Sequence, residues 1–265
     1  MNKAAEARKI MRKWKIARTE HLEALIRDKF GMSDSAFRQL LCRLRADRHI
    51  FTSYLVDQTI HFDRSAFKRW QFLEALPDTE HEKFISKSGI EHNLQMFDLA
   101  NSIESLWPSF EVIPNVLSEK SQSTFGVSDH REKHSPDIIL RSRDANESGS
   151  IFVEVERSLK ERSRYQKKWM AYEGDPTISI CIYWISDAAI LNRLISDAET
   201  FFMGGLGVGD FKLGFVDHRE FKLHQSSSSI TVVSTAGRSI QKVGSMIAKA
   251  VEARCSEIRL NRGVS

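Results

Sequence analysis

Ser135–Leu140 is SPDIIL and Ile151–Lys160 is IFVEVERSLK, with the turn-rich RSRDANESGS between them. Two β-branched, apolar runs around a loop holding Asp144, Asn146 and Gly149 predict a hairpin. Alternate residues of a strand share a face, so Ile151, Val153 and Val155 point one way and Phe152, Glu154 and Glu156 the other. Two carboxylates on an otherwise apolar strand are costly to bury without a cation, which is either a basic side chain or a metal. Asp137, at the start of the neighbouring strand, brings a third carboxylate to the same end. Hard oxygen ligands of this kind, Asp137, Glu154 and Glu156, suit Mg²⁺ or Mn²⁺, which orient a phosphate and acidify an attacking water. Lys160, four residues beyond Glu156 at the expected start of the next helix, completes a catalytic set by stabilising charge on that phosphate. The same residues also fit a surface hairpin in which Glu154 and Glu156 pair with Arg157 or Arg162.

Downstream, Ser158–Tyr172 is a strongly polar helix. Lys160, Arg164, Lys167 and Lys168 form a basic stripe on it, and Tyr165, Trp169 and Tyr172 an adjoining aromatic one. Phosphate contacts beside stacking surfaces suit single-stranded nucleic acid, although an aromatic stripe at helical spacing is more often core. Thr177–Ile185 has the composition of a buried strand. A helix over 188–202, strands over 211–216 and 230–233, and a last helix over about 238–259 complete an α/β domain. Gly204, Gly205, Gly207 and Gly209 follow a helix rather than a strand, so they mark a connection and not a dinucleotide fingerprint.

Upstream, a helix over 90–106 ends at Pro108, and the polar segment 76–89 marks a boundary. The predicted domains are therefore 1–78 and 86–260. The first contains a helix over 3–16, a second capped by Thr19, a break at Gly31 and a third helix started by Ser33. Phe37, Leu40, Leu41 and Leu44 form the apolar side of that third helix, while Arg38, Arg43, Arg45 and, just beyond, Arg48 are basic. Two short runs, 50–56 and 59–62, read as a two-stranded wing. This order is that of a winged helix-turn-helix, whose third helix enters the major groove of double-stranded DNA; a protein-binding helical module is the alternative. Residues 1–75 carry 16 Lys+Arg against 9 Asp+Glu, so the net charge of +4 conceals a basic module on a slightly acidic body.

Composition excludes other classes. At 41% hydrophobic and 28% charged residues, the chain is globular rather than disordered. The longest mainly apolar run, Ile178–Ile185, is far short of the ~20 residues of a membrane span. The basic N-terminus lacks the apolar region of a secretory signal. Three scattered cysteines, Cys42, Cys181 and Cys255, argue against a disulfide framework and for a reducing cytoplasm. His130 and His134 imitate a zinc site but lack a helix to align them. Glu91 and His92 are candidates for the lining of a cleft, as is Tyr165.

Pro136–Asp137, followed by Glu154 on the next strand, resembles the PD-(D/E)xK superfamily of nucleases with the restriction-endonuclease-like fold. A second Pro-Asp pair, Pro77–Asp78, lacks the apolar run that should follow. The lysine of the acidic-x-Lys triplet is replaced by Glu156, and members that move it to the following helix make Lys160, then Lys167, the candidates. The combination with an N-terminal winged helix, and the stretch FVEVERSLKERSRYQKKWMAY, is similar to the replication-relaxation and MobC-type relaxase proteins of plasmid mobilisation. That resemblance implies a Mg²⁺- or Mn²⁺-dependent nick at a plasmid or mobile-element origin, with single-stranded DNA at the nick and auxiliary mobilisation proteins as partners. A non-catalytic DNA-binding regulator or mobilisation accessory on a degenerate nuclease fold is the alternative.

Overall fold

A computed structural model describes residues 2–14, 16–47, 50–54, 71–75, 87–114, 136–143, 150–175, 177–207 and 209–248. Two compact units, Met1–Asp98 and Leu99–Ser265, divide the chain. The division falls inside the helix Lys87–Leu106; residues 76–86 of the expected boundary segment lie outside the described residues.

The first unit consists of α1 (Lys3–Trp14), β1 (Ile16–Arg18), α2 (Thr19–Phe30), α3 (Asp34–Ala46), β2 (Ile50–Tyr54) and β3 (Gln71–Ala75). Its three strands form an antiparallel sheet in the order β1–β3–β2. Ala7 and Met11 of α1, Leu22 and Ile26 of α2, and Phe37, Leu40, Leu41 and Leu44 of α3 are buried at helical spacing. Gly31 closes α2 with φ +58°, a conformation L side chains avoid. Ser33 then caps α3, its hydroxyl oxygen accepting the Ala36 N–H at 3.3 Å. Replacing Ser33 by Ala is expected to cost about 1 kcal/mol, measurable as a lowered unfolding midpoint of this unit.

Two expectations change here. Thr19 is the first residue of α2 rather than its cap, and among the described residues its buried hydroxyl has no partner. The strand Ile50–Tyr54 pairs with Gln71–Ala75; the run 59–62, expected to pair with it, lies outside the described residues, as does Arg48. Gln71–Ala75 (QFLEA) carries no strong strand signal, and its conformation is set by partners on both sides.

The second unit is a mixed α/β domain. It begins with the last turns of α4 (Lys87–Leu106), whose first residues belong to the first unit, and continues with β4 (Phe110–Pro114), β5 (Ile138–Ser142), β6 (Ser150–Glu156), α5 (Arg162–Glu173), β7 (Ile178–Ile185), α6 (Ala188–Met203), β8 (Lys212–Asp217), α7 (His218–His224), β9 (Ser229–Ser234) and β10 (Gly237–Lys242). The seven strands form one sheet in the order β10–β9–β8–β7–β6–β5–β4. β6, β7 and β8 are parallel, and the outer pairs are antiparallel. The parallel strands are joined by the crossover helices α5 and α6, as parallel neighbours require. β7, ISICIYWI, sits in the middle, which is why it is apolar on both faces. Pro114 is tolerated because β4 is an edge strand.

Cys181, Tyr183 and Ile185 of β7 share one face with Phe152, Leu213 and Phe215, and on that face they pack against Tyr165, Trp169 and Tyr172 of α5 and Leu194, Ala198 and Phe201 of α6. On the other face Trp184 meets the Phe221 ring edge-on at 5.5 Å.

The expected last helix over 238–259 is corrected. Residues 237–242 form β10, returned against β9 by a turn at Thr235–Ala236 and by Gly237 at φ +97°. Helix resumes only at 243–248. α7 and β4 are short elements that periodicity did not reveal. Among the described residues no helix is long and apolar enough to cross a membrane.

Candidate functional site

The hairpin expected around 141–150 exists, with Ile138 opposite Val153, Ile139 opposite Phe152 and Leu140 opposite Ile151. Continuing that antiparallel register by one residue sets Asp137 opposite Glu154. Asp137 Oδ2 accepts the Val155 N–H at 2.7 Å, which fixes its carboxylate at the point where β5 begins.

β6 is not a surface strand: all seven of its residues are buried, and β7 pairs along its other side. Phe152, Glu154 and Glu156 do share a face, and α5 covers it. Each glutamate has its own lysine and its own tyrosine. Glu154, 5% exposed, accepts the Tyr172 hydroxyl at 2.6 Å and lies 2.7 Å from Lys168 Nζ. Both contacts fall on Oε1. Glu156, also 5% exposed, accepts Lys160 Nζ at 2.9 and 2.7 Å on its two oxygens, the Tyr165 hydroxyl at 3.0 Å and the Ser158 N–H at 3.3 Å. Arg162, one of the two arginines considered as partners in a surface hairpin, reaches Asp197 at 3.4 Å.

Burial pushes the Glu154 carboxyl up to about 7, against the pull of Lys168; the Asp137 charge adds to the rise. Burial opposes the Lys168 ammonium, yet Glu154 and Asp137 outweigh it and hold its pKa above the usual lysine range. Burial, then the Glu154 charge, drives the Tyr172 phenol well upward, so Tyr172 stays a donor to Glu154. The ammonium also sits 5.7 Å from the centre of the Tyr172 ring, and that ring meets Phe152 edge-on at 4.9 Å.

The four predicted catalytic residues therefore separate into two clusters. Asp137 and Glu154 come together with Lys168, whereas Glu156 and Lys160 pair with each other. Lys160 is not at a helix start: α5 begins at Arg162, and Lys160 lies in the connection before it. Its backbone N–H donates to the Tyr165 hydroxyl at 3.1 Å, so Lys160, Tyr165 and Ser158 tie that connection onto Glu156.

The basic stripe is also revised. Arg164 and Lys167 are exposed, but Lys168 turns inward, its side chain 22% exposed. The aromatic stripe of Tyr165, Trp169 and Tyr172 is core; Trp169 Nε1 donates to the Tyr183 hydroxyl at 3.0 Å. Sequence reasoning missed Lys168 as the partner of Glu154, although the signal was present. Lys168 follows Tyr165 by three residues and precedes Tyr172 by four, so helical geometry puts it beside the buried seam. Lys167 is one residue away and faces out.

In the first unit Arg38 and Arg43 are exposed and Arg45 is half-buried. Glu91 and His92 lie on α4, His92 half-buried and Glu91 exposed. His130, His134 and Pro77–Asp78 lie outside the described residues.

Among the described residues no three His, Cys, Asp or Glu side chains converge into a ready cation cage. Mg²⁺, however, is commonly held by one or two carboxylates, with waters and substrate phosphate completing its shell. Asp137 and Glu154 offer two hard oxygen donors, close enough that the Asp137 charge raises the proton affinity of Glu154. Glu156, with both oxygens taken by Lys160, is not part of it. No family model, curated protein or solved structure matches this chain.

Proposed function

We propose that the chain is a DNA-binding protein whose second unit nicks DNA with the help of Mg²⁺ or Mn²⁺. The observation that carries this reading is the juxtaposition of Asp137, Glu154 and Lys168, with Lys168 Nζ 2.7 Å from Glu154 Oε1. It supports the resemblance to the PD-(D/E)xK nucleases, with one reassignment: the lysine absent from the triplet comes from α5 as Lys168, not as Lys160 or Lys167. The succession of α4, the β4–β5–β6 meander, α5 and parallel β7 supports a restriction-endonuclease-like unit. The succession α1–β1–α2–α3–β2–β3 supports a winged helix in the first unit, with α3 as the helix that enters the major groove.

Asp137 and Glu154 would hold the divalent ion, which supplies a polarised phosphate and an acidified water. Val155 N–H fixes Asp137, and Tyr172 fixes Glu154, so both carboxylates are oriented before substrate arrives. Lys168 places a positive charge where negative charge grows on the phosphate oxygens. Arg164 and Lys167, exposed on the same helix, are placed for contacts to the DNA backbone. A plasmid or mobile-element origin is the proposed target, with auxiliary mobilisation proteins as partners.

The reading is tested by incubating supercoiled origin DNA with the full chain, with and without EDTA. Equal cleavage by an Asp137→Ala/Glu154→Ala double variant would sink it. DNA binding is tested separately. Arg38→Ala/Arg43→Ala is expected to weaken binding and to reduce the slope of log affinity against log salt by about 2, roughly one per lost phosphate contact. An unchanged slope would remove α3 from the interface.

A second reading has its own observation. Glu156 stands in the triplet lysine position and is fully engaged by Lys160, Tyr165 and Ser158. A DNA-binding regulator on a degenerate nuclease fold predicts salt-sensitive DNA binding with no metal uptake and no nicking.

A further inference from the structure

Lys168 does more in this arrangement than wait for a phosphate. Its ammonium and the Tyr172 hydroxyl both land on Oε1 of Glu154, at 2.7 and 2.6 Å. The carboxylate is 5% exposed and lies opposite the half-buried Asp137, whose negative charge bears on it. Without a cation this arrangement would be strongly unfavourable. The chain supplies that cation itself.

Resting on the metal-dependent reading above, we propose that Lys168 is the resident counter-ion of the Asp137–Glu154 pair and yields that place when a hard divalent cation binds. A divalent ion beside Glu154 and a lysine ammonium on the same carboxylate repel each other across a few ångströms, strongly so in a buried setting. Lys168 has somewhere to go. Its side chain is 22% exposed, and its neighbours Arg164 and Lys167 stand on the open side of α5. Released from Glu154, its charge is available to the phosphate that the metal would polarise. The exchange couples two events: the metal enters as the lysine turns toward phosphate. It also lets the second unit fold without metal, since the buried Glu154 carboxylate has its counter-charge from within. Tyr172 is uncharged and remains on Glu154 through the exchange, keeping the carboxylate oriented.

The test uses the full-length protein and follows amine acylation by mass spectrometry, with Lys167 as the internal reference. In metal-free protein Lys168 is expected to react roughly tenfold more slowly than Lys167, the fold-change of breaking one hydrogen bond to a charged group. Saturating Mn²⁺ should raise the Lys168 rate severalfold relative to Lys167, and Asp137→Asn should abolish that rise. Calorimetry on the same samples distinguishes failure of the exchange from failure of the metal site. Mn²⁺ uptake that depends on Asp137, with the Lys168 rate unchanged, overturns the exchange and leaves the metal site standing. No Asp137-dependent uptake overturns the metal site, and the exchange with it. Because Lys168 itself is unchanged in every sample, the measurement does not depend on a Lys168 variant folding.

Discussion

Glu154→Gln and Lys168→Ala are each expected to lower the nicking rate by about 10²- to 10³-fold, the scale of removing one preorganised charge from a transition-state site. Lys160→Ala should leave the rate within a few-fold of the parent. The contrast follows from the two clusters on β6. Lys160 Nζ is held by both oxygens of Glu156, whereas Lys168 is the amine beside the Glu154–Asp137 pair. Spacing alone favoured Lys160, four residues after Glu156, and would predict the reverse order. Plasmid relaxation at saturating Mg²⁺ measures both. If Lys160→Ala were the dead variant and Lys168→Ala the active one, the lysine assignment would fall while the metal-dependent reading survived.

How much of this was legible beforehand depends on what fixed each element. The β5–β6 hairpin was legible because Ile138–Leu140 and Ile151–Glu156 are apolar, alternate cleanly and flank turn residues. β7 was legible because a strand buried on both faces must be apolar throughout. α3 was legible because Ser33 starts it and Phe37, Leu40, Leu41 and Leu44 repeat at helical spacing. Gln71–Ala75 and Gly237–Lys242 were not, since both take strand conformation from partners distant or adjacent in the sheet rather than from composition. At the site, strand alternation correctly put Glu154 and Glu156 on one face. It could not say which lysine each would meet, because that depends on where α5 begins. Starting the helix at Arg162 rather than Ser158 leaves Lys160 in the connection, and the aromatic seam draws Lys168 inward.

The Glu154–Lys168 pair should also dominate the response of stability to pH. The folded protein raises the Glu154 carboxyl from an ordinary value near 4.5 to about 7, so folding favours its protonated form. Its contribution to stability is therefore fully present below about pH 4.5 and is lost as pH rises through 7. Glu154→Gln removes this dependence and should flatten stability across that window. Lys168→Met acts differently. Without the ammonium, the largest influence lowering the Glu154 pKa is gone, and the carboxyl titrates higher still. Near pH 5.5 the variant holds a neutral acid that is still hydrogen-bonded to Tyr172, and the loss should be small. At pH 9 it must bury an unpaired carboxylate, at a cost of roughly 3–5 kcal/mol. That is on the order of 10 °C in the melting of the second unit. The double variant Glu154→Gln/Lys168→Met, with neither charge to bury, should recover most of that loss at pH 9. Scanning calorimetry at the two pH values on the two single variants and the double variant decides it. A Lys168→Met penalty equal at pH 5.5 and pH 9 would mean that the lysine acts by packing against Tyr172 rather than by holding the charge on Glu154.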